Sequence, residues 1–213
     1  MRSLFPISRQ FGFDRGQPID RYYIESFLRK HSDTIHGHVL EIGDDKYTRE
    51  FGARVARSDV LDVAGGRHAT IVADLATAKD IASDSFDCII LTQTLQFIYD
   101  FKAAIRTLYR ILRPQGVLLG TFPGISQISR YDMERWGEYW RFTTLSTLRL
   151  FEEVFSPENI QVQSHGNVLA AVAFLHGLAA EELSKQELDY HDPDYELLIT
   201  LKAQKPREPD QVR

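Results

Sequence analysis

The stretch from Phe86 to Pro123 leaves the fewest choices of fold. Phe86-Asp87-Cys88-Ile89-Ile90-Leu91 is an almost unbroken apolar run, as suits a strand buried on both faces of a sheet. Polarity returns at Thr92-Gln93-Thr94, and Phe101, Ala104, Ile105, Leu108, Ile111 and Leu112 then recur at helical spacing. Arg113-Pro114-Gln115-Gly116 reads as the turn that stops this helix. Val117-Leu118-Leu119-Gly120-Thr121-Phe122 is a second buried strand. Strand, crossover helix and strand make a right-handed βαβ unit. In such sheets ligands sit beyond the carboxyl ends of the strands, which puts Gln93 and the loop after Phe122 at the mouth of a site.

The rest of the chain extends this pattern. Asp20 is placed to cap a helix reaching Lys30 or His31, with Tyr23, Ile24, Phe27 and Leu28 on its apolar face. Before it, Met1 to Pro18 reads as an arm packed on the surface by Phe5, Phe11 and Phe13. Strands are expected at Val39–Gly43, Arg54–Val60, Ala69–Leu75, Asn159–Ser164 and Glu196–Ala203, and helices near Leu145–Phe155 and Val168–Leu183. One domain spans 1–213: an arm and helix over 1–37, a core over 38–205 and a loose tail over 206–213.

Composition sets limits on function. Hydrophobic residues make up 43% and charged residues 26%, with a net charge of −5. That is an ordinary globular balance without the basic excess of a nucleic-acid binder. The single cysteine, Cys88, lies in a predicted buried strand and excludes an internal disulfide, so a reducing cytosol is the expected setting. No signal-peptide core is visible near the start. The longest apolar stretch, Val168 to Ala180, falls short of the roughly 20 residues a membrane span needs. No His/Cys cluster has metal-ligand spacing, so no metal is expected.

Asp84-Ser85-Phe86-Asp87-Cys88-Ile89-Ile90, followed by Arg110-Ile111-Leu112-Arg113-Pro114-Gln115-Gly116-Val117-Leu118-Leu119, resembles the fourth and fifth strands of a class I S-adenosylmethionine (SAM) dependent methyltransferase of the type 11-like group. Gln115 stands where that family usually has a glycine. The resemblance runs from Val39 to Ala203. It implies an α/β, three-layer Rossmann-like fold with a seven-stranded, mostly parallel sheet in the order three-two-one-four-five-seven-six and the last strand antiparallel. SAM would be the cofactor. Glu41 and Gly43 match the family's acidic, glycine-rich first loop, although Asp44-Asp45-Lys46 replaces its later glycines. The resemblance also puts an acid on the ribose at the second strand's end, Asp59 with Asp62 in reserve, and Asp74 and Leu75 beside the adenine. Gln93 completes the expected cofactor set.

Tyr139-Trp140-Arg141-Phe142-Thr143 is similar to a segment of methyltransferases found with polysaccharide glycosyltransferases. Tyr131, Trp136, Tyr139, Trp140 and Arg141 are therefore the expected acceptor residues: flat rings suit sugars, and Arg141 suits a carboxylate or phosphate. His165, His191 and Asp132 are candidates for a base. The expected reaction is O-methylation of a saccharide or other small molecule, without nucleic acid or membrane as partner. The oligomeric state is open, a homodimer included. One rival is a catalytically silent relative with a degraded SAM loop. The other, a nicotinamide dehydrogenase, lacks its Gly-x-Gly-x-x-Gly after the first strand.

Overall fold

The computed structural model describes residues 4–207. Seven strands form one sheet: β1 (His36–Ile42), β2 (Arg54–Asp62), β3 (Ile71–Val72), β4 (Phe86–Thr92), β5 (Leu112–Pro123), β6 (Ile160–His165) and β7 (Leu198–Gln204). Their order is β3-β2-β1-β4-β5-β7-β6. β7 runs antiparallel to β5 and β6 and the other pairings are parallel. This is the expected class I methyltransferase topology.

Alternation along the central strands builds two cores, because successive side chains leave a strand on opposite faces. Ile89, Leu91 and Leu118 point to one face and join Ala104, Ile105 and Leu108 of α3 (Phe101–Ile111) and Phe151 of α5 (Thr144–Glu152). Cys88, Ile90, Val117 and Leu119 point to the other. There they meet α1 (Ile19–Lys30) through Ile24, Phe27 and Leu28, α2 (Lys46–Phe51) through Tyr47 and Phe51, and α6 (Val168–His176) through Ala170 and Phe174. Two short helices, α4 (Arg130–Met133) and α7 (Lys185–Asp189), complete the set. Asp100 starts α3 by accepting a hydrogen bond from the Ala103 N–H at 3.0 Å.

Several boundaries depart from the expected ones for local reasons. β3 keeps only two residues; it is an edge strand, and Val72 is 65% exposed. The helix expected to reach Leu183 ends at His176, because Gly177 adopts φ +72° in contact with the Ser8 backbone. The turn expected at Arg113–Gly116 is instead part of β5, which begins at Leu112 directly from α3 and carries a register shift opposite Phe86–Cys88. Gln115 takes φ +67° there. Pro18, not Asp20, occupies the N-cap position of α1, and Asp20 lies in its first turn. In the arm, Phe11 packs 6.0 Å from Phe174, whereas Phe5 and Phe13 are exposed. The core ends as Gln204 closes β7 and Lys205 bonds Asp84 at 2.7 Å and the Leu112 carbonyl at 2.8 Å; of the expected tail, residues 208–213 lie outside the described part.

Candidate active site

A cavity of about 710 Å³ opens at the carboxyl ends of β1, β2 and β4. Its first half is built from strand ends. Gly43 follows β1 at φ +91°, a conformation that side chains resist, and a Cβ there would meet nothing within 4 Å. The backbone wall is therefore open to a ligand at this point. The Gly43 N–H donates to the Leu61 carbonyl at 2.9 Å, which ties the loop to β2. Asp62 closes β2 and lines the cavity, with one carboxylate oxygen accepting from the Ala64 N–H at 2.7 Å. Asp74 accepts from the Ala76 N–H at 2.8 Å, and the buried Leu75 follows it on the same wall. Gln93 sits at φ +48°, anchored through its N–H to the Thr121 carbonyl at 3.0 Å. Its side-chain Nε2 is buried without a hydrogen-bond partner, as is the Oε1 of neighbouring Gln96. A buried amide left unpaired costs free energy, so such a group in a cavity wall is one a ligand could satisfy.

The second half is aromatic. Tyr99 and Asp100 line it from the loop before α3, and Arg135, Trp136 and Tyr139 from the connection after β5. Tyr139 meets Tyr99 edge-on at 5.3 Å, and its N–H donates to the Gln96 carbonyl at 2.8 Å. The Arg135 guanidinium lies 3.4 Å over the Tyr131 ring and donates to the Tyr131 carbonyl at 2.7 Å.

Of the residues anticipated from sequence, Gly43, Asp74, Leu75, Gln93, Trp136 and Tyr139 come together on this cavity. Asp59 does not. β2 runs three residues beyond it, and its side chain takes hydrogen bonds from His38 at 2.6 Å and Thr70 at 2.9 Å beside the Arg57 charge. Burial pushes the Asp59 carboxyl up, but those bonds and that charge outweigh it and hold the group below the usual range. Asp62 holds the wall position instead. Glu41 also stays off the wall. It is buried beneath the loop and accepts from the Tyr47 N–H at 3.1 Å and from the Thr48 N–H and hydroxyl at 2.7 Å each. Burial pushes its pKa up to about 7, against the pull of those hydrogen bonds.

Trp140 packs inward, donating from Nε1 to the Ile98 carbonyl at 3.1 Å and meeting Phe101 edge-on at 5.0 Å. Arg141 pairs with Glu138 at 2.6 Å and bonds the Gln127 carbonyl at 3.0 Å, and Tyr131 is 66% exposed. None of the three lines the cavity. Nor does any candidate base. His165 bonds Thr200 at 3.0 Å, and burial, helped by His191 and Lys30, lowers its pKa to about 4. His191 bonds Ser164 at 2.9 Å, and Asp132 accepts from the Ser129 hydroxyl at 2.6 Å.

Sequence reasoning missed Tyr99, Asp100 and Arg135. The available signal was their place: Tyr99 and Asp100 fall between the end of a buried strand and the next helix, where a doubly wound sheet binds ligands. Among the described residues no cluster of His, Cys, Asp or Glu could hold a metal, and no helix is long and apolar enough to cross a membrane.

Residues 38–120 match the family model described as a methyltransferase domain. In sequence this stretch is therefore similar to a methyltransferase domain. It contains β1, β2, β3 and β4 and most of β5, and so carries the first half of the cavity. No curated protein matches the chain in sequence. Among solved structures, the N-methyltransferase NodS from Bradyrhizobium japonicum in complex with S-adenosyl-L-homocysteine aligns over 95% of both chains at 16% identity and a TM-score of 0.57. A SAM-dependent methyltransferase from Archaeoglobus fulgidus aligns over 87% of this chain and 94% of its own at 12% identity and 0.56. One from Mesorhizobium loti aligns over 84% and 95% at 19% and 0.55. At these identities the likeness is one of fold. For NodS it reaches beyond residues 38–120 to α5, β6 and β7.

Proposed function

We propose that the chain transfers a methyl group from SAM to a small-molecule acceptor held in the aromatic half of the cavity. The observation that carries this reading is that the open backbone at Gly43 and the Gln93 amide, whose Nε2 has no partner, line one cavity together with Asp62 and Asp74. These residues fit the cofactor. Asp62 would take the ribose hydroxyls, since a carboxylate can accept two hydrogen bonds. Asp74 and Leu75 would take the adenine amino group and ring face, and Gly43 would let the amino-acid portion approach the backbone. Glu41 would position Gly43 by holding the first turn of α2.

Bound SAM supplies a methyl group already activated by its sulfonium. The protein's task is then mainly alignment in a shielded pocket. Tyr99, Trp136 and Tyr139 supply flat walls, and Arg135 supplies a cation at the rim. That combination suits a saccharide bearing a phosphate or carboxylate, in keeping with the resemblance to methyltransferases found with polysaccharide glycosyltransferases. Oxygen is the proposed nucleophile. Nitrogen is the alternative, since NodS is named an N-methyltransferase and a Haemonchus contortus relative in fold is named for phosphoethanolamine N-methylation. Asp100 replaces the earlier base candidates as the carboxylate on the acceptor half.

Calorimetry with S-adenosylhomocysteine tests the proposal. Wild type should bind. Gly43→Val, whose side chain would project into the cavity, should lose binding with an unchanged circular dichroism spectrum. No binding by a folded wild type would favour the silent relative. Normal binding by Gly43→Val would put the cofactor elsewhere.

A further inference from the structure

A second, smaller cavity of about 260 Å³ lies between the end of α1 and the exposed face of β6 and β7. It shares no lining residue with the candidate active site. Lys30 at the end of α1 and His31 just after it line the cavity, with Gln161, Gln163 and His165 from β6 and Lys202 from β7. All of its charged and titratable lining groups are basic, and no carboxylate lines it.

In a chain of net charge −5 this is an unusual concentration. Of the five other lysines, four find acids: Lys46 pairs with Glu25 at 3.3 Å, Lys102 with Glu153 at 2.6 Å, Lys205 with Asp84 at 2.7 Å, and Lys185 with Asp189. Neither Lys30 nor Lys202 has an ion pair among the described residues. We propose that this cavity binds the phosphate group of a small molecule, with Lys30 and Lys202 as its charge partners and the Gln161 and Gln163 amides as further donors.

The surroundings agree with an uncompensated positive field. Burial lowers the His31 pKa, and Lys202 and Lys30 lower it further; Asp33, in the turn after α1, is the acid within reach and acts the other way. His165 is lowered by burial, then by His191 and Lys30. An anion between the lysines would offset this repulsion, as opposite charges at close range do. Lysine ammonium groups bind phosphate as point charges and need no fixed fork geometry. The volume exceeds what a bare phosphate fills, which favours a phosphate carried on a larger body.

The histidine ring signals of the full chain can be followed by NMR while inorganic phosphate, α-D-glucose 1-phosphate or chloride is added at constant ionic strength. The expected result is saturable shifts at His31 and His165 with glucose 1-phosphate, with a dissociation constant of about 1 mM or tighter. The double variant Lys30→Gln/Lys202→Gln should weaken this at least about tenfold. Tighter binding of glucose 1-phosphate than of inorganic phosphate supports a phosphorylated small molecule. Equal binding of the two supports free phosphate as the ligand of the same site. The proposal is overturned if neither saturates, if chloride produces the same shifts, or if the folded double variant binds as well as wild type.

Discussion

Glu41 should make the folded protein less stable as the pH rises through neutrality. Its side chain is 1% exposed, and three donors from Tyr47 and Thr48 surround the carboxylate. Those bonds favour the charged form, but burial outweighs them and lifts the pKa from its ordinary 4.5 to about 7. Between these two values the folded chain holds a proton that the unfolded chain has released. Stability then falls with pH, because the native state binds more protons. The stabilisation is fully present below pH 4.5 and is lost as the pH rises through about 7. At about 1.4 kcal/mol per pH unit, the gap is worth roughly 3 kcal/mol, most of it between about pH 5 and 8. Urea unfolding of wild type and Glu41→Gln across that window measures it. Glutamine does not titrate, so any fixed cost of the substitution cancels from the pH dependence. Wild type should lose about 2–3 kcal/mol relative to the variant as the pH rises. A difference that stays flat, or that grows in favour of wild type, would show that the hydrogen bonds dominate and that Glu41 is charged throughout.

Asp62→Ala should weaken S-adenosylhomocysteine binding roughly 10- to 100-fold, the worth of one or two lost hydrogen bonds to a charged group. Asp59→Ala should leave that affinity unchanged while lowering unfolding free energy by about 3 kcal/mol, because it strips a buried partner from His38; calorimetry and denaturation on both variants check the pair, and the reverse pattern would restore Asp59 to the site. Gln115→Gly should raise stability by about 0.5–1 kcal/mol, read as a higher urea midpoint, since glycine accepts φ +67° without strain while loosening the unfolded chain. Arg141→Met should cost about 1 kcal/mol of stability and spare the kinetics, whereas Arg135→Met should raise KM for a negatively charged acceptor; equal kinetic effects would contradict the assignment of the cavity cation.

The sheet was legible because its central strands are apolar on both faces. Phe86 to Leu91 and Val117 to Phe122 admit little else, and the βαβ rule then fixes where the mouth lies. Edges were less legible. β3 has one exposed apolar residue and little burial to mark its length. The place of Asp59 off the cavity has the same root. β2 is polar over most of its length, and its buried end is marked by Val60-Leu61, so the acid that reaches the cavity is the one after that pair, Asp62. Arg141 shows a different limit: Glu138, three residues earlier, claims its guanidinium, and sequence does not reveal which partner a surface cation takes. Arg135 lines the cavity from between the single turn of α4 and Gly137, at φ +80°.

Cys88 is the chain's one thiol and lies fully buried in β4, with β1 and β5 paired on either side. Burial pushes its pKa well up, so even a small reagent would find neither access nor thiolate in the native state. Labelling therefore requires the centre of the sheet to come apart. The rate at which a thiol reagent modifies the unaltered protein becomes a clock for its deepest opening, with no engineered probe. Any ligand that holds the sheet edge closed should slow that clock in proportion to its occupancy.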